Sequence, residues 1–419
     1  MDKNIITKFC KGFGVCKYKN LVIVANTVNG QNFKMTEECY AILKKLVESK
    51  VKISEFLDYF ESEEDRKYFE MVLAFLLKKE ILVPIDQNNN DIDISLELTN
   101  RCNLRCKHCC VDACTVSQNN DMSTEEWKGI IDKLMELPIG MLTFTGGEPM
   151  LRTDFFDIVR YAKGRINAHY QLMTNGTFIT EQNVDEIIKL FDDISISLDG
   201  ADEESCASVR GNGVFERAMK SIKMIREKSN IFMSLSFTRV KTNIHMLNKF
   251  KELCKSLNAE PVIRHFDLVG RAKDNLELLP YDIDDSYLPY IKPFPEGKDY
   301  FPPESMPECI SCGAVNSKLT IAYDGTIYPC MPLMYPEFNM GNVLNISSLK
   351  LFINDKKYEE TNGYKAFCEY HPATSKECND CHVKLFCDSC VQYMYLVKNH
   401  PRYHEFCAMK KEVLSKVWE

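Results

Sequence analysis

The sequence predicts an α/β fold built on parallel strands, and three observations carry that prediction. From Ile92 to about Lys292, short apolar runs rich in β-branched residues alternate with helical patterns, as expected for parallel strands joined by crossover helices. Cys102, Cys106 and Cys109 stand just after the first of these strands. The run Thr145-Gly146-Gly147-Glu148-Pro149 stands just after the second, so chemistry-bearing residues collect at the carboxyl ends of strands, as in parallel barrels. At 419 residues the chain has length for two to three domains of roughly 150 residues each, and the pattern divides it into residues 1–88, 89–300 and 301–419.

Residues 1–88 read as a unit. Leu21 to Ala25 is an apolar strand, Asn29-Gly30 is a hairpin signal, and a second strand is expected at Asn32 to Met35. Thr36 is a candidate N-cap before Glu37 and Glu38, and Cys39, Ile42, Leu43, Leu46 and Val47 recur at helical spacing. Helices are expected again near Ile53 to Tyr59 and Glu63 to Lys79, and the polar run Asp86 to Asp91 marks a linker. This strand-strand-helix-helix-helix order resembles winged-helix modules and the small recognition domains at the front of ribosomal peptide maturases. The resemblance implies a winged-helix-like domain that takes the leader of a precursor peptide as an added strand on a sheet edge. DNA binding is the alternative for such a module, and the acidity of Glu61 to Asp65 argues against it.

Strands follow at Ile92 to Leu98, Met141 to Phe144, His169 to Thr174, Ile194 to Leu198, Phe232 to Thr238 and Val262 to Asp267, making six βα units. The triad CxxxCxxC leaves the fourth corner of an iron–sulfur cube without a protein ligand, and such an open position marks a catalytic metal centre. On spacing alone a zinc site, with Cys110 or Cys114 nearby, is the alternative. With the GGEP run about one βα unit downstream, the stretch resembles the radical S-adenosylmethionine superfamily, where His108 holds the aromatic-type place before the third cysteine. The resemblance implies a partial (β/α)6 barrel, open on one side. It places the cofactor's amino group at Gly146, Gly147, Glu148 and Pro149, where glycines let backbone approach closely and Glu148 is a charge-assisted acceptor. Asn175 follows the third strand, and by the same resemblance Ser197, Asp199 and Arg210 fall where ribose and carboxylate are contacted. No catalytic residue is assigned. Asn243 and Val269-Gly270-Arg271 match loosely without a role, and Cys206 and Cys254 read as buried thiols.

Nine cysteines lie between Cys309 and Cys407. Twelve residues separate Cys312 from Gly325 and four separate Gly325 from Cys330, after which Cys378, Cys381, Cys387 and Cys390 form Cx2Cx5Cx2C, with sixteen residues before Cys407. This resembles the SPASM extension, which implies two auxiliary 4Fe-4S clusters. Carried over residue by residue, the first would use Cys312, Cys330 and Cys390 with Cys309 as a fourth ligand, and the second Cys378, Cys381, Cys387 and Cys407. The sequence departs from the family in separating Cys387 and Cys390 by two residues rather than three, and Cys368 is a ninth thiol for eight places.

The net charge of −8 argues against a surface built to neutralise nucleic-acid phosphates. No apolar run of signal-peptide or membrane-spanning length is evident, so a cytoplasmic protein is expected, in which nineteen cysteines point to metal or redox chemistry rather than disulfides. The resemblance implies S-adenosylmethionine and three 4Fe-4S clusters as cofactors, and a low-potential electron donor of flavodoxin or ferredoxin type as a partner. It implies a maturase that abstracts hydrogen with a 5'-deoxyadenosyl radical and installs a thioether in a cysteine-containing precursor peptide. Carbon–carbon cross-linking, formylglycine formation and a non-catalytic metal-binding regulator are the alternatives. Met331 stands where formylglycine-forming relatives carry an aspartate.

Overall fold

The computed structural model describes residues 1–87, 91–113, 121–267, 269–279, 307–388, 390–401 and 403–419. Cys114, the middle of the expected linker and the expected boundary at 300 lie outside the described residues. There are two compact units. One holds the described residues of Met1–Asn90, Ser286–Ser317 and Lys365–Glu419, and the other those of Asp91–Asp285 and Lys318–Tyr364.

The first unit begins with β1 (Thr7–Phe9), β2 (Phe13–Tyr18), β3 (Leu21–Asn26), β4 (Gln31–Thr36), α1 (Glu37–Ser49), α2 (Ile53–Asp58), α3 (Glu63–Lys78) and β5 (Leu82–Pro84). β3 is the centre of an antiparallel sheet with β2 and β4, while β1 pairs with β5. The expected hairpin, cap and three helices are present; β1, β2 and β5 are additional. Two of these are three-residue strands, too short for a periodic signal, and β2 interrupts its apolar residues with Gly14 and Lys17. The Thr36 hydroxyl accepts from the Cys39 amide at 3.2 Å, satisfying one of the amides a helix start leaves open.

Side chains alternate across a strand, and β3 buries both of its faces. Val22 and Val24 pack with Leu43, Leu46, Leu73 and Leu76 of the helices. Ile23 and Ala25 turn the other way and pack with Cys16, Leu385, Phe386, Val417 and Trp418 from the distant end of the chain. That double burial explains why Leu21 to Ala25 reads as an unbroken apolar run.

The second unit runs β6 (Ile92–Glu97), α4 (Thr124–Leu134), β7 (Ile139–Thr145), α5 (Phe155–Lys163), β8 (His169–Thr174), α6 (Val184–Leu190), β9 (Asp193–Ser197), α7 (Glu203–Arg210), α8 (Val214–Lys228), β10 (Phe232–Thr238), α9 (Leu247–Ser256) and β11 (Glu260–Arg264). All six strands pair in parallel with their sequence neighbours. Leu96, Leu142, Phe144, Leu172, Ile194, Ile196, Leu235 and Phe237 are buried along them. Two further strands extend this sheet. β12 (Lys318–Ile321) pairs in parallel with β6, setting Leu319 beside Ile94, and β13 (Ile327–Tyr328) returns antiparallel to β12. The order is therefore β11-β10-β9-β8-β7-β6-β12-β13. β12 and β13 are additional to the strands expected from the sequence, and at four and two residues they are too short for a periodic signal. Gly325 turns the hairpin between them at φ +85°, and a Cβ there would lie 2.8 Å from Asn342 Oδ1. The remaining α-helices among the described residues are α10 (Leu349–Asn354), α11 (Asn362–Tyr370), α12 (Val391–Lys398) and α13 (Tyr403–Leu414).

Candidate active site

The loop after β6 carries the cysteine triad. Cys102 and Cys106 are buried and Cys109 is half-buried. They share a small apolar cluster with Leu104, Ala113, Val214 and a fourth thiol, Cys206, on α7. Backbone amides aim at two of the sulfurs: Leu104 N donates to Cys102 Sγ at 3.4 Å and Ala113 N to Cys109 Sγ at 3.3 Å. Arg210 Nη1 stands 3.7 Å from Cys106 Sγ and Asn175 Nδ2 3.9 Å from Cys102 Sγ. Burial pushes the Cys102 thiol up to about 11 and raises that of Cys106, which Arg210 partly offsets. Thiols so placed become thiolates when a metal takes the proton's place, and amide donors to sulfur are the hydrogen bonds of cluster sites. Among the described residues no three His, Cys, Asp or Glu side chains stand in the arrangement of a single-ion site. A cube differs from such a site in giving each thiolate its own iron.

The glycine turn is built against this loop. Gly147 N donates to Thr99 O at 2.7 Å and Glu148 N to Arg101 O at 2.8 Å. A Cβ on Gly146 would lie 2.5 Å from Thr99 O, and one on Gly147 only 2.3 Å from Arg101 O. The close backbone approach that glycine permits here is therefore an approach to the cysteine loop itself. Pro149 is buried and opens a short 3-10 turn. Glu148 is fully buried. Its carboxylate accepts from Thr174 Oγ1 and Asn175 N, both at 2.8 Å, and from Met150 N at 3.2 Å. Burial raises it to about 7 despite those donors and the Arg210 charge. In this form Glu148 ties the ends of β7 and β8 together, and an ammonium group brought beside it would favour its charged form. Asn175 is likewise buried, with Nδ2 donating to Asn103 Oδ1 at 2.9 Å.

Asp199 is the electrostatic centre of the site. It is fully buried in a left-handed conformation, φ +56°. Arg210 Nη2 and His108 Nε2 lie 2.7 and 2.9 Å from its Oδ2, while Oδ1 accepts from Thr238 N. Burial alone would raise this carboxyl, but the Arg210 and His108 partners outweigh it and hold the group well below the ordinary carboxylate range. Asn243 secures the strained backbone, with Nδ2 donating at 2.9 Å to the carbonyls of Asp199 and Thr238. Asp199 thus joins the cysteine loop to α7. Ser197 is half-buried at the end of β9. Two buried nitrogens beside the thiols, His108 Nδ1 and Arg210 Nε, have no hydrogen-bond partner among the described residues. Three thiols in one apolar cluster and the orphaned Arg210 Nε–H donor fit a cluster and a ligand bearing acceptor groups such as a carboxylate.

Arg271 was given no role by sequence reasoning and turns out to clamp the loop. Its amide donates to Cys109 O at 2.9 Å, Nη1 to Cys106 O at 3.0 Å and Nη2 to Ala113 O, with Asp112 Oδ1 3.0 Å away. Gly270 makes this possible at φ +54°, since a Cβ would lie 2.4 Å from Cys109 O. The signal was the Gly-Arg pair after the sixth strand, whose meaning depends on a contact with a loop far away in sequence.

The C-terminal thiols separate into groups. Cys330 follows β13 in the second unit, whereas Cys309, Cys312, Cys378, Cys381, Cys387, Cys390 and Cys407 belong to the first. Cys387 and Cys407 pack with Met394, Val397, Tyr403 and Phe406. Cys381 and Cys309 instead share a cluster with Cys16. Cys312 N donates to Thr27 O at 2.7 Å, Cys390 is exposed, and Cys368 is half-buried on α11.

Comparison with known proteins agrees with this geometry. Residues 96–253 match the radical SAM superfamily, and residues 312–382 match SPASM, described as an iron-sulfur cluster-binding domain. An AdoMet-dependent heme synthase of Oleidesulfovibrio alaskensis is 35% identical over 168 residues, 40% of this chain and 43% of that protein, so the match spans less than half of its length. A heme synthase of the same name from Nitratidesulfovibrio vulgaris is 26% identical over 332 residues, 70% of this chain and 88% of that one. Mycofactocin maturase MftC of Mycolicibacterium smegmatis is 27% identical over 270 residues, covering 61% and 68%. In fold, the chain is similar to Streptococcus suis SuiB bound to S-adenosylmethionine, with a TM-score of 0.53 at 17% identity over 94% of this chain and 98% of that one. The thiol triad after the first parallel strand, the motifs at the following strand ends and the two family matches lead to one conclusion: the chain belongs to the radical SAM superfamily of enzymes and carries a SPASM iron–sulfur domain.

Proposed function

We propose that the protein is a radical SAM peptide maturase that installs a thioether in a ribosomally made, cysteine-containing precursor peptide. The observation that carries this reading is likeness over nearly the whole chain, N-terminal unit included, to SuiB, one structure of which is bound to the precursor peptide SuiA at a TM-score of 0.51. Kinship with the maturase MftC supports it.

Cys102, Cys106 and Cys109 would hold the first 4Fe-4S cluster, and the C-terminal cysteines two more. When bound, the cluster and S-adenosylmethionine supply a 5'-deoxyadenosyl radical. The chain's own residues place and shield that chemistry. Arg271 and the glycine turn fix the loop, Asp199 sets His108 and Arg210 beside the thiols, and Arg210 offers a buried cation to a carboxylate. Forming a sulfur-to-carbon bond removes one C–H hydrogen and one S–H proton and leaves one electron to be accepted. The cysteine-rich segment supplies ligands for an acceptor, and a flavodoxin- or ferredoxin-type donor would reduce the first cluster. Residues 1–88, 89–300 and 301–419 would serve peptide recognition, radical chemistry and electron acceptance.

The test is anaerobic reconstitution with iron and sulfide counting, then reduction with S-adenosylmethionine and a candidate cysteine-containing precursor. About twelve iron per chain, 5'-deoxyadenosine and a peptide lighter by two hydrogens per bond are expected. Release of the nucleoside with every peptide unchanged would refute the maturase reading. The heme synthase relatives favour a second reading, an AdoMet-dependent step of heme formation, which heme production by the reconstituted enzyme would support.

A further inference from the structure

Cys16 has no part in the site described above, yet its surroundings are unusual for a core thiol. It lies on β2 and is 3% exposed. Cys309 and Cys381 pack with it in one apolar cluster, so three cysteines from three separate stretches of chain meet among Ile23, Leu385, Phe386 and Trp418. Gly14, on the same face of β2, approaches the 385 loop so closely that a Cβ would lie 2.6 Å from Leu385 Cδ2. Cys16, one pleat further along, faces that same loop. The segment of Cys309 is held on the same loop, with Ile310 N donating to Leu385 O at 2.7 Å. Lys384, 8% exposed, brings a positive charge within reach of Cys16, while its Nζ donates to Asn379 O at 3.2 Å. A buried cysteine that serves only as a small hydrophobe needs none of this. Further thiols and a nearby cation are what a thiolate bound to iron requires.

We propose that Cys16 is a thiolate ligand of an auxiliary iron–sulfur cluster at the site lined by Cys309 and Cys381, so that the N-terminal sheet supplies a ligand to the C-terminal cysteine-rich segment. The inference rests on the cluster-binding nature of that segment and not on the identity of any substrate.

The test uses the full chain with Cys102, Cys106 and Cys109 replaced by Ala, so that only auxiliary clusters remain. Into it are placed Cys16→Ala, Cys16→Ser and, as a control, Cys39→Ser, a thiol 4% exposed in the other core of the same region. After anaerobic reconstitution, iron, sulfide, circular dichroism and the electron paramagnetic resonance of the reduced protein are measured. Cys16→Ala is expected to lose up to about four of about eight iron. Cys16→Ser, whose oxygen can stand in as a ligand, should keep more iron but shift the g-values of one cluster, and Cys39→Ser should do neither. Folded Cys16 variants with the parent's iron and spectrum would overturn the proposal, as would equal iron loss in the Cys39 control. If Cys16→Ala does not fold, the Cys16→Ser spectrum decides. Neither readout depends on nucleoside release or peptide modification, so failure here is distinct from failure of the maturase reading.

Discussion

At Asp199 an arginine and a histidine share one fully buried carboxylate, and the arrangement is worth most when complete. Arg210 has 9% of its side chain exposed, so removing Asp199 would strand its guanidinium in a site with little water. Breaking such a buried pair from one side costs about 3–5 kcal/mol. Asp199→Ala is therefore expected to lower stability by that order in anaerobic urea unfolding. Asp199→Asn, which tolerates the left-handed backbone, should lose less. Glu97 makes a pH prediction. It is 2% exposed at the end of β6. Burial raises it from 4.5 to about 8, with Asp324 and Asp121 adding to the effect and the Tyr323 amide opposing it. The folded state keeps this proton across a window in which the unfolded chain releases it. Stability should thus fall as pH rises from about 4.5 to about 8, by on the order of 5 kcal/mol, one pKa unit being about 1.4 kcal/mol. Glu97→Gln should flatten that decline in melting temperatures measured from pH 5 to 9, and an unchanged slope would count against a buried, protonated Glu97.

Among the elements, the loop after β6 and the turn after β7 are one construction held from both sides. Gly147→Ala drives a methyl into Arg101 O, and relief requires moving the cysteine loop. Overpacking of this kind costs about 1–3 kcal/mol, and iron retention should fall with it. Gly129→Ala is the matched control: Gly129 sits in α4 with nothing within 4 Å of the added Cβ, and should gain about 0.5–1 kcal/mol. Melting curves and iron counts on both variants separate a packing glycine from a merely permissive one. Arg271→Ala removes the clamp from the other side. It should leave the fold intact while lowering the iron retained by the triad, read as a reduced iron count in the otherwise unaltered chain.

For the whole molecule, the ends of the chain cannot be treated separately. Ile23, Ala25 and Cys16 from β2 and β3 share a core with Leu385, Phe386, Leu414, Val417 and Trp418. Removing residues 1–87 would expose that face to water, at about 25 cal/mol for each Å² of apolar surface uncovered. The truncated protein is expected to aggregate or lose auxiliary iron, measurable by size-exclusion chromatography and iron counting. Recognition of a peptide by the N-terminal region is better tested with exposed point variants than by truncation. Strand β12 carries a similar lesson, since it adds a parallel strand beside β6 from a point more than two hundred residues later in the chain.

The motifs with local meaning were legible in the sequence. CxxxCxxC, the GGEP turn, the Thr36 cap and six parallel strands each depend on residues within one turn or one βα unit, and the structure holds each close to where the pattern put it. Pairings between distant segments were not legible. That Gly146 and Gly147 serve the cysteine loop, that Arg271 clamps it, that Asp199 gathers His108 and Arg210, and that Cys16 meets Cys309 and Cys381 are consequences of packing. Such contacts leave no periodicity behind, because only the folded chain brings their partners within reach.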